Sequence, residues 1–221
     1  MATQHNKKTL STRAQMLLTG ALTITLGFAV TIGVLSWQSS RQQKQLADEY
    51  LQQIAQTNAL KVQHELSFAR DGARNLGHNL IALPAAGKAD RGIADKMTEY
   101  TLRANPEYLS ISVIFEENAL DGRDAEFAAL PGQAPGGRYA WFVDKDAAGK
   151  YSMHPLTSYL TPGQGDYYLL PQKSRKDTVT EPYTYAYNGV DTLLTSVAAP
   201  IVEDGKLWAV VTSDISLASL Q

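Results

Sequence analysis

Few residues of this chain have the type and spacing that catalysis or metal binding requires. The sequence has no cysteine, which excludes a disulfide scaffold, an iron–sulfur site and a thiol nucleophile. Its histidines form no His-Glu-x-x-His or His-x-His pair, and it contains no Gly-x-Ser-x-Gly elbow or Walker loop. The acid pair Asp144 and Asp146 lies in the segment Asp-Lys-Asp-Ala-Ala-Gly, which is typical of a hairpin turn. The sequence therefore predicts a binding protein without metal or cofactor, and not an enzyme.

The composition narrows the class of partner. Apolar residues make up 44% of the 221 residues, and 11 tyrosines are among them, which excludes an intrinsically disordered chain. The formal net charge is −2, but Lys7, Lys8 and Arg13 precede position 38 without any acid. The remainder, with 17 basic and 22 acidic residues, has a net charge of −5. Because phosphate binding needs a basic surface, we expect no nucleic-acid partner, whereas a cationic ligand is compatible with this charge.

An uncharged run, residues 14–40, predicts a membrane-spanning helix. Its apolar part, residues 16–37, has the length of about 20 residues that a hydrocarbon core of about 30 Å requires. It ends in Trp37-Gln38 without an Ala-x-Ala cleavage pattern, which favours an uncleaved anchor over a signal peptide. The basic residues before it predict, by the positive-inside rule, a cytoplasmic segment at residues 1–15. Residues 38–221 would then be periplasmic, on the inner membrane of a bacterium.

Residues 38–80 predict a long stalk helix. The segment 39–80 contains no proline, and its apolar residues recur at spacings of three and four. A helix of about 43 residues would be about 65 Å long. The seam predicts a weak homodimer through the stalk, although a spacer without any sensing role is the alternative for residues 38–60. The seam residues are Leu46, Tyr50, Ile54, Val62, Leu66, Ala69, Ala73, Leu76 and Leu80.

Residues 81–221 change from a helical period to a strand period. A second helix is predicted over residues 93–104, and residues 118–137 are predicted as a long polar loop. Asn188-Gly189 predicts a type I′ hairpin turn between two strands. Helices followed by an antiparallel meander indicate an α+β fold with the helices on one sheet face. The predicted strands are residues 109–115, 139–143, 182–187, 191–200 and 206–214.

The C-terminal hairpins resemble a known family. The segments Glu181-Pro182-Tyr183, Ala199-Pro200-Ile201 and residues 210–217 are similar to the double Cache ectodomain of bacterial methyl-accepting chemotaxis receptors. The resemblance implies a PAS-like, membrane-distal Cache module over residues 81–221, and a role in chemotaxis. It also implies that the chain ends before the membrane-proximal module, as a fragment or a truncated product. The same ectodomain on a histidine kinase or a diguanylate cyclase, and an anchored domain that binds without signalling, are the alternatives.

The resemblance also assigns ligand-binding positions. Amino-acid-sensing members of the family have a Tyr-x4-Arg-x-Trp-Tyr run, whose Arg and Trp hold the ligand carboxylate. Matching Tyr168 to the last Tyr of this run places Tyr167 at the Trp and Gly165 at the Arg. The family's ammonium-binding Tyr and Asp correspond to Tyr183 and Asp214. The arginine is therefore missing, and an acid, Asp166, follows the gap, which implies a ligand without a carboxylate.

Three further segments are similar to the amine-sensing branch of the family. They are residues 118–124, 139–142 and 165–171, and they imply a small cationic ligand such as a polyamine or a biogenic amine. Acids would hold its ammonium through charge-assisted hydrogen bonds, and aromatic rings through cation–π contacts. Core packing remains the alternative for the aromatic residues, and a turn or surface role for the acids. The candidate ligand-binding residues are Asp166, Asp214, Tyr168, Tyr183, Trp141, Tyr139, Tyr167 and Tyr185.

Overall fold

The computed structural model describes residues 11–220, apart from the side chains of Ser219 and Leu220. The chain divides into two units, Met1–Thr57 and Asn58–Gln221. The basic residues Lys7 and Lys8, on which the predicted orientation depends, lie outside the described residues.

The first unit consists of the N-terminal part of helix α1, which spans Thr12–Ala85. Residues 15–57 are all exposed. By length and composition α1 can cross a membrane, and none of its most apolar stretch is buried within the protein. Threonine hydroxyls in this stretch donate to backbone carbonyls one turn earlier, as Thr23 does to Thr19 at 3.0 Å and Thr31 to Gly27 at 2.9 Å. These polar groups are therefore satisfied inside the helix, as an apolar environment requires. The predicted long apolar helix is confirmed.

The second unit is built on one seven-stranded antiparallel sheet, with the order β3-β2-β1-β7-β6-β4 and with β5 also paired to β6. The hairpin turn between β5 and β6 has the predicted geometry, since Asn188 and Gly189 have φ values of 53° and 75°. The strands are β1 Tyr108–Phe115, β2 Ala140–Lys145, β3 Tyr151–Pro155, β4 Thr178–Val179, β5 Tyr183–Tyr187, β6 Val190–Glu203 and β7 Lys206–Ser216. The helices after α1 are α2 Arg91–Ala104, α3 Asp124–Ala128 and α4 Asp166–Ser174, with 3-10 turns at Pro135–Gly137 and Leu217–Leu220.

One face of the sheet is covered by α2 and the C-terminal part of α1. Leu76 and Leu80 of α1 are buried together with Leu102 of α2 against the apolar side of the central strands. The helix lies close to the sheet at Gly77, where a Cβ atom would stand 2.3 Å from Cδ1 of Ile201. The part of the predicted seam between residues 66 and 80 therefore packs on the sheet of its own chain.

The other face carries α4, so the prediction that helices cover only one face is wrong. The sequence indicated no helix at residues 166–174, because Pro171 and the short length hide the helical period. The buried ring of Tyr168 fixes α4 to this face, beside Ile114 and Val210 of the sheet. The sheet of the second unit therefore has a helix on each face, and α4 is the helix that the sequence did not indicate.

The predicted polar loop at residues 118–137 is an ordered segment that contains α3 and a 3-10 turn. Arg91 of α2 holds it: Nε donates to Asp121 at 2.8 Å, and Nη2 donates to Asp124 at 2.7 Å. The same guanidinium donates to the backbone oxygen of Gly137 at 2.8 Å. These groups are separated by 30 to 46 positions in the sequence, so local patterns could not indicate this arrangement.

Candidate ligand-binding site

A cavity of about 680 Å³ lies on the α4 face of the sheet. Its floor is formed by Ser110, Ser112 and Ser196, which occupy central positions of β1 and β6. Because serine side chains are small, they leave the space that larger residues fill elsewhere in a packed sheet. The walls come from α4, from β5 and the residues before it, and from the segment between β3 and α4.

Asp214 of β7 is the acid at the centre of this floor. The sheet register places it directly between Ser110 on β1 and Ser196 on β6. The Ser110 hydroxyl donates to Oδ2 and the Ser196 hydroxyl to Oδ1, both at 2.5 Å. Since the Ser196 hydrogen is engaged by Asp214, the Tyr183 hydroxyl donates to Oγ of Ser196 at 2.9 Å. The carboxylate is thus oriented by a hydrogen-bonded chain from three strands.

The charge of Asp214 is not compensated by the protein. Burial raises the pKa of this carboxyl, and the hydrogen bonds from Ser110 and Ser196 oppose that rise. Within residues 11–220, the cavity wall includes no lysine, arginine or histidine, and three of its residues, Asp166, Glu181 and Asp214, are acidic. Asp214 is partly buried, and a carboxylate that is removed from water without a cationic partner is destabilised. The arrangement can therefore gain from a bound cation.

Aromatic rings complete the cavity around Asp214. Tyr167, Tyr183 and Tyr185 line it from α4 and β5, and Phe142 lines it from β2. Burial raises the pKa of Tyr167 and of Tyr183, and the negative charge of Asp214 raises both further. These side chains therefore stay neutral phenols, which offer π faces and hydroxyl groups to a ligand.

Five of the eight residues expected at the site line this cavity. They are Asp166, Tyr167, Tyr183, Tyr185 and Asp214. Asp166 is the first residue of α4, and its Oδ1 also accepts a hydrogen bond from the Gly163 amide at 2.9 Å. Asp166 therefore both stabilises the turn before α4 and lines the cavity.

Gly165 occupies a position with no room for a side chain. A Cβ atom there would lie 2.1 Å from the backbone oxygen of Tyr159. The backbone around α4 therefore excludes an arginine at the position that the family pattern assigns to the carboxylate-binding residue. The cavity therefore lacks the guanidinium group that binds a carboxylate in the family pattern, because position 165 is a glycine and the surrounding backbone has no room for a larger residue.

Tyr168 does not line the cavity, in contrast to the expectation. Successive residues of a helix point about 100° apart, so when Tyr167 faces the cavity Tyr168 points into the core. Its ring packs edge-on against Tyr159 with centroids 5.3 Å apart. Its hydroxyl accepts from Arg138 at 2.9 Å and donates to Glu116 at 2.7 Å. Burial raises the pKa of Tyr168 to about 12, so it is a structural phenol that fixes α4.

Tyr139 and Trp141 also lie outside the cavity, on the opposite side of the sheet. Tyr139 is buried under the helices, and its hydroxyl donates to Oδ1 of Asp95 on α2 at 2.8 Å. Trp141 packs against the same core. Both residues do share a face, as the alternation along the strand predicts, but it is the helix-covered face. The cavity-facing aromatic residue of β2 is their neighbour Phe142.

The cavity residues that the sequence did not single out include Phe142, Ser110, Ser112 and Ser196 of the sheet. The alternation of Ser110 and Ser112 with the apolar residues of β1 was a usable signal, because it places two small polar side chains opposite the core face. Ser196 gave no comparable signal. Its role depends on the register that sets it beside Asp214.

Comparison with known proteins gives a family match over the second unit. Residues 94–221 match the family model described as methyl-accepting chemotaxis protein-like, first PDC sensor domain. The methyl-accepting chemotaxis protein TlpQ of Pseudomonas aeruginosa is 34% identical over 131 residues, which cover 54% of this chain and 18% of that protein. The chain therefore spans less than a fifth of the length of this curated relative.

Solved ectodomains have a similar fold. The extracellular domain of mmHK1S-Z3, assigned to a histidine kinase, is 32% identical, with a TM-score of 0.57 over 74% of this chain and 54% of that chain. A structure described as methyl-accepting chemotaxis protein X is 27% identical, with a TM-score of 0.58 over 76% of this chain and 60% of that chain. The present chain thus spans little more than half the length of these domains.

Proposed function

Because the chain belongs to the methyl-accepting chemotaxis protein-like family of PDC sensor domains, we propose that it is the sensory region of a transmembrane chemoreceptor that binds a small organic amine. Residues 1–15 are cytoplasmic, residues 16–37 cross the inner membrane, and the ligand binds on the periplasmic side. The sensory module is the membrane-distal half of a double Cache ectodomain, and its occupancy is the signal for chemotaxis.

The observation that carries the amine assignment is the state of Asp214. Its carboxylate is held by two serine hydroxyls and is paired with no cationic side chain among residues 11–220. An ammonium ion placed against it would replace a costly uncompensated charge with a charge-assisted hydrogen bond. The rings of Tyr167 and Tyr183 would add cation–π contacts of about 0.5–2 kcal/mol each.

The same cavity disfavours a ligand that carries a carboxylate. An amino acid would bring an anion into a wall with three acids and, within residues 11–220, no basic side chain. Gly165 leaves no space for the arginine that would compensate this anion. The proposed ligand class is therefore amines without a carboxylate, such as putrescine, a longer polyamine or histamine.

A histidine kinase or a diguanylate cyclase is the second candidate for the output. The kinase is favoured by the likeness to the ectodomain of mmHK1S-Z3, which is comparable in identity to the likeness to the chemotaxis protein TlpQ. The DNA that follows the codon for Gln221 tests this choice. A continuing frame with a HAMP segment and a long coiled coil for adaptor binding supports the chemoreceptor, whereas a catalytic kinase or cyclase domain supports the alternative.

A thermal-shift screen of the full chain in detergent micelles tests the ligand class. Putrescine, spermidine and histamine are compared with succinate and malate. A ligand at a hundredfold excess over its Kd stabilises the native state by about 2.7 kcal/mol. We expect at least one amine to raise the melting temperature and both dicarboxylates to leave it unchanged. A shift with succinate or malate, and none with any amine, would overturn the proposal.

A further inference from the structure

A second carboxylate lies in the same cross-strand row as Asp214. The register pairs Asp144 of β2 with Ser110 of β1, and Ser110 with Asp214 of β7. Directly opposite residues of antiparallel strands have their side chains on the same face of the sheet. Asp144 therefore stands on the cavity face, two strands away from Asp214. The Cα atoms of opposite residues are about 4.5–5.5 Å apart, so the two acids are separated by about 10 Å.

Asp144 lies beside residues that line the cavity, and it is partly exposed. Its side chain keeps 21% of its surface exposed. Two of its neighbours line the cavity, Ser110 across the strand pair and Phe142 two positions earlier on the same strand. Oδ1 contacts Nε2 of His154 at 3.2 Å, and the His154 ring packs in a tilted arrangement against Phe142 with centroids 5.1 Å apart. In the described part of the chain, Oδ2 of Asp144 has no hydrogen-bond partner, so one oxygen is free for a ligand.

Tyr185 lies near both acids. This residue of β5 lines the cavity and is partly exposed to it. Burial raises the pKa of its phenol, and the negative charges of Asp144 and Asp214 raise it further, in that order. Both carboxylates are thus close enough to affect this phenol, and its ring offers an aromatic surface near the two acids.

We propose that Asp144 is a specificity-determining residue that binds the second ammonium of a diamine whose first ammonium binds Asp214. This inference rests on the proposed amine-binding function and adds a preference for ligands with two positive charges. The methylene chain lies across the aromatic side chains between the two acids, with Tyr185 on one side and Phe142 on the other.

The dimensions agree with a short diamine. An extended chain advances about 1.2 Å per bond, so the five bonds between the nitrogens of putrescine span about 6 Å. An ammonium–carboxylate hydrogen bond adds about 2.8 Å at each end. A total of about 11–12 Å covers the separation of about 10 Å that the register gives. Putrescine is therefore long enough to contact both acids at once.

Asp144 is a better second partner than Asp166 and Glu181, the two further acids of the wall. Asp166 is the first residue of α4, where its Oδ1 accepts the Gly163 amide, and it is therefore not part of the sheet row that contains Asp214. Glu181 is an exposed residue before β5. Of these three acids, Asp144 is the one that lies in the same cross-strand row as Asp214.

Calorimetry with the full chain in lipid nanodiscs tests the inference. Putrescine and n-butylamine are the probes, because they have the same carbon chain and differ by one ammonium. For Asp144→Asn we expect putrescine to bind about tenfold more weakly, since one partly exposed charge-assisted hydrogen bond is lost. The affinity for n-butylamine should not change. Asp144→Glu, which restores the charge, should recover most of the preference for putrescine.

A matched control separates a local contact from the loss of one negative charge. Asp191 is an exposed acid on β6, away from the cavity wall, so Asp191→Asn should leave both affinities unchanged. If Asp144→Asn weakens both probes equally, or neither, the inference is overturned while amine binding stands. If the unmodified chain binds neither probe nor any other amine, the proposed function is overturned, and the inference with it.

Discussion

Replacing Asp214 with asparagine removes the one charge on which the proposed ligand depends. The new side chain in Asp214→Asn has nearly the same shape as the carboxylate, and its amide can still meet the hydroxyls of Ser110 and Ser196. The unliganded variant should therefore fold. At pH 7 it should be at least as stable as the unmodified chain, because burial disfavours the charged form of Asp214.

The expected loss of affinity follows from the surroundings of the carboxylate. Truncating one partner of a desolvated, hydrogen-bonded charge pair costs about 2–5 kcal/mol. Asp214 has no other cationic partner among residues 11–220, and the ammonium would be left beside neutral groups. A cost of about 3 kcal/mol in the middle of this range corresponds to an affinity loss of at least about a hundredfold.

Isothermal titration calorimetry of the full chain in nanodiscs measures this loss, with the amine that gives the largest thermal shift in the screen. Asp191→Asn serves as the control, because it removes an exposed acid from the neighbouring strand β6. Its affinity should equal that of the unmodified chain. Retention of amine binding within about threefold by Asp214→Asn would show that the ammonium binds elsewhere, and the reasoning from the uncompensated charge would be refuted.

Four further predictions follow from the same structure. Since the folded-state pKa of Asp214 is raised, the stability that this group contributes is lost as pH rises above the unfolded value of about 3.9. In urea titrations, the free energy of unfolding of the unmodified chain, relative to that of Asp214→Asn, should therefore increase as pH falls from 7 towards 4. The affinity for the amine should decrease over the same pH range, because the carboxylate becomes protonated. Gly165→Ala places a Cβ atom 2.1 Å from the Tyr159 oxygen and should destabilise the protein by about 1–3 kcal/mol in urea; an unchanged midpoint would mean that this backbone can move. Putrescine should bind at least about a hundredfold more tightly than ornithine, and Asp166→Asn should reduce this difference in affinity. Equal affinities in calorimetry would contradict the inference that Gly165 replaces the carboxylate-binding arginine. The chain in detergent should sediment mainly as a monomer at micromolar concentration, because residues 66–80 of the helical seam pack on their own sheet, and a dimer that persists at nanomolar concentration would contradict this.

Local patterns were enough to predict much of the fold. The apolar run of α1, the hairpin turn at Asn188-Gly189 and the alternation along β1 each depend on residues that are close in sequence. The resemblance in the last forty residues likewise rested on contiguous motifs, and the match of residues 94–221 to the PDC sensor family confirms it at that level. Where the period was hidden, no element was predicted, as for the short helix α4 with its internal Pro171.

The composition of the site was partly visible in the sequence. Asp214, Tyr183 and the acid beside Gly165 were singled out from motif positions, and all three of these side chains line the cavity. Tyr168 was singled out in the same way, but the helix around it turns its side chain into the core. A motif position specifies which residue is present, whereas the local backbone decides which way the residue faces.

By itself the sequence determined an apolar helix at the N-terminus, a sheet domain and a set of acids and tyrosines suited to a cation, because these features depend on residue type and short-range period. Only the tertiary structure decided which of these side chains meet. The row Asp144–Ser110–Asp214–Ser196 joins four strands whose residues lie up to 104 positions apart, and it exists because the strands pair in one register. A shift of that register by one residue would turn every side chain of a strand to the other face of the sheet, so register, which the buried face enforces, is what creates the site.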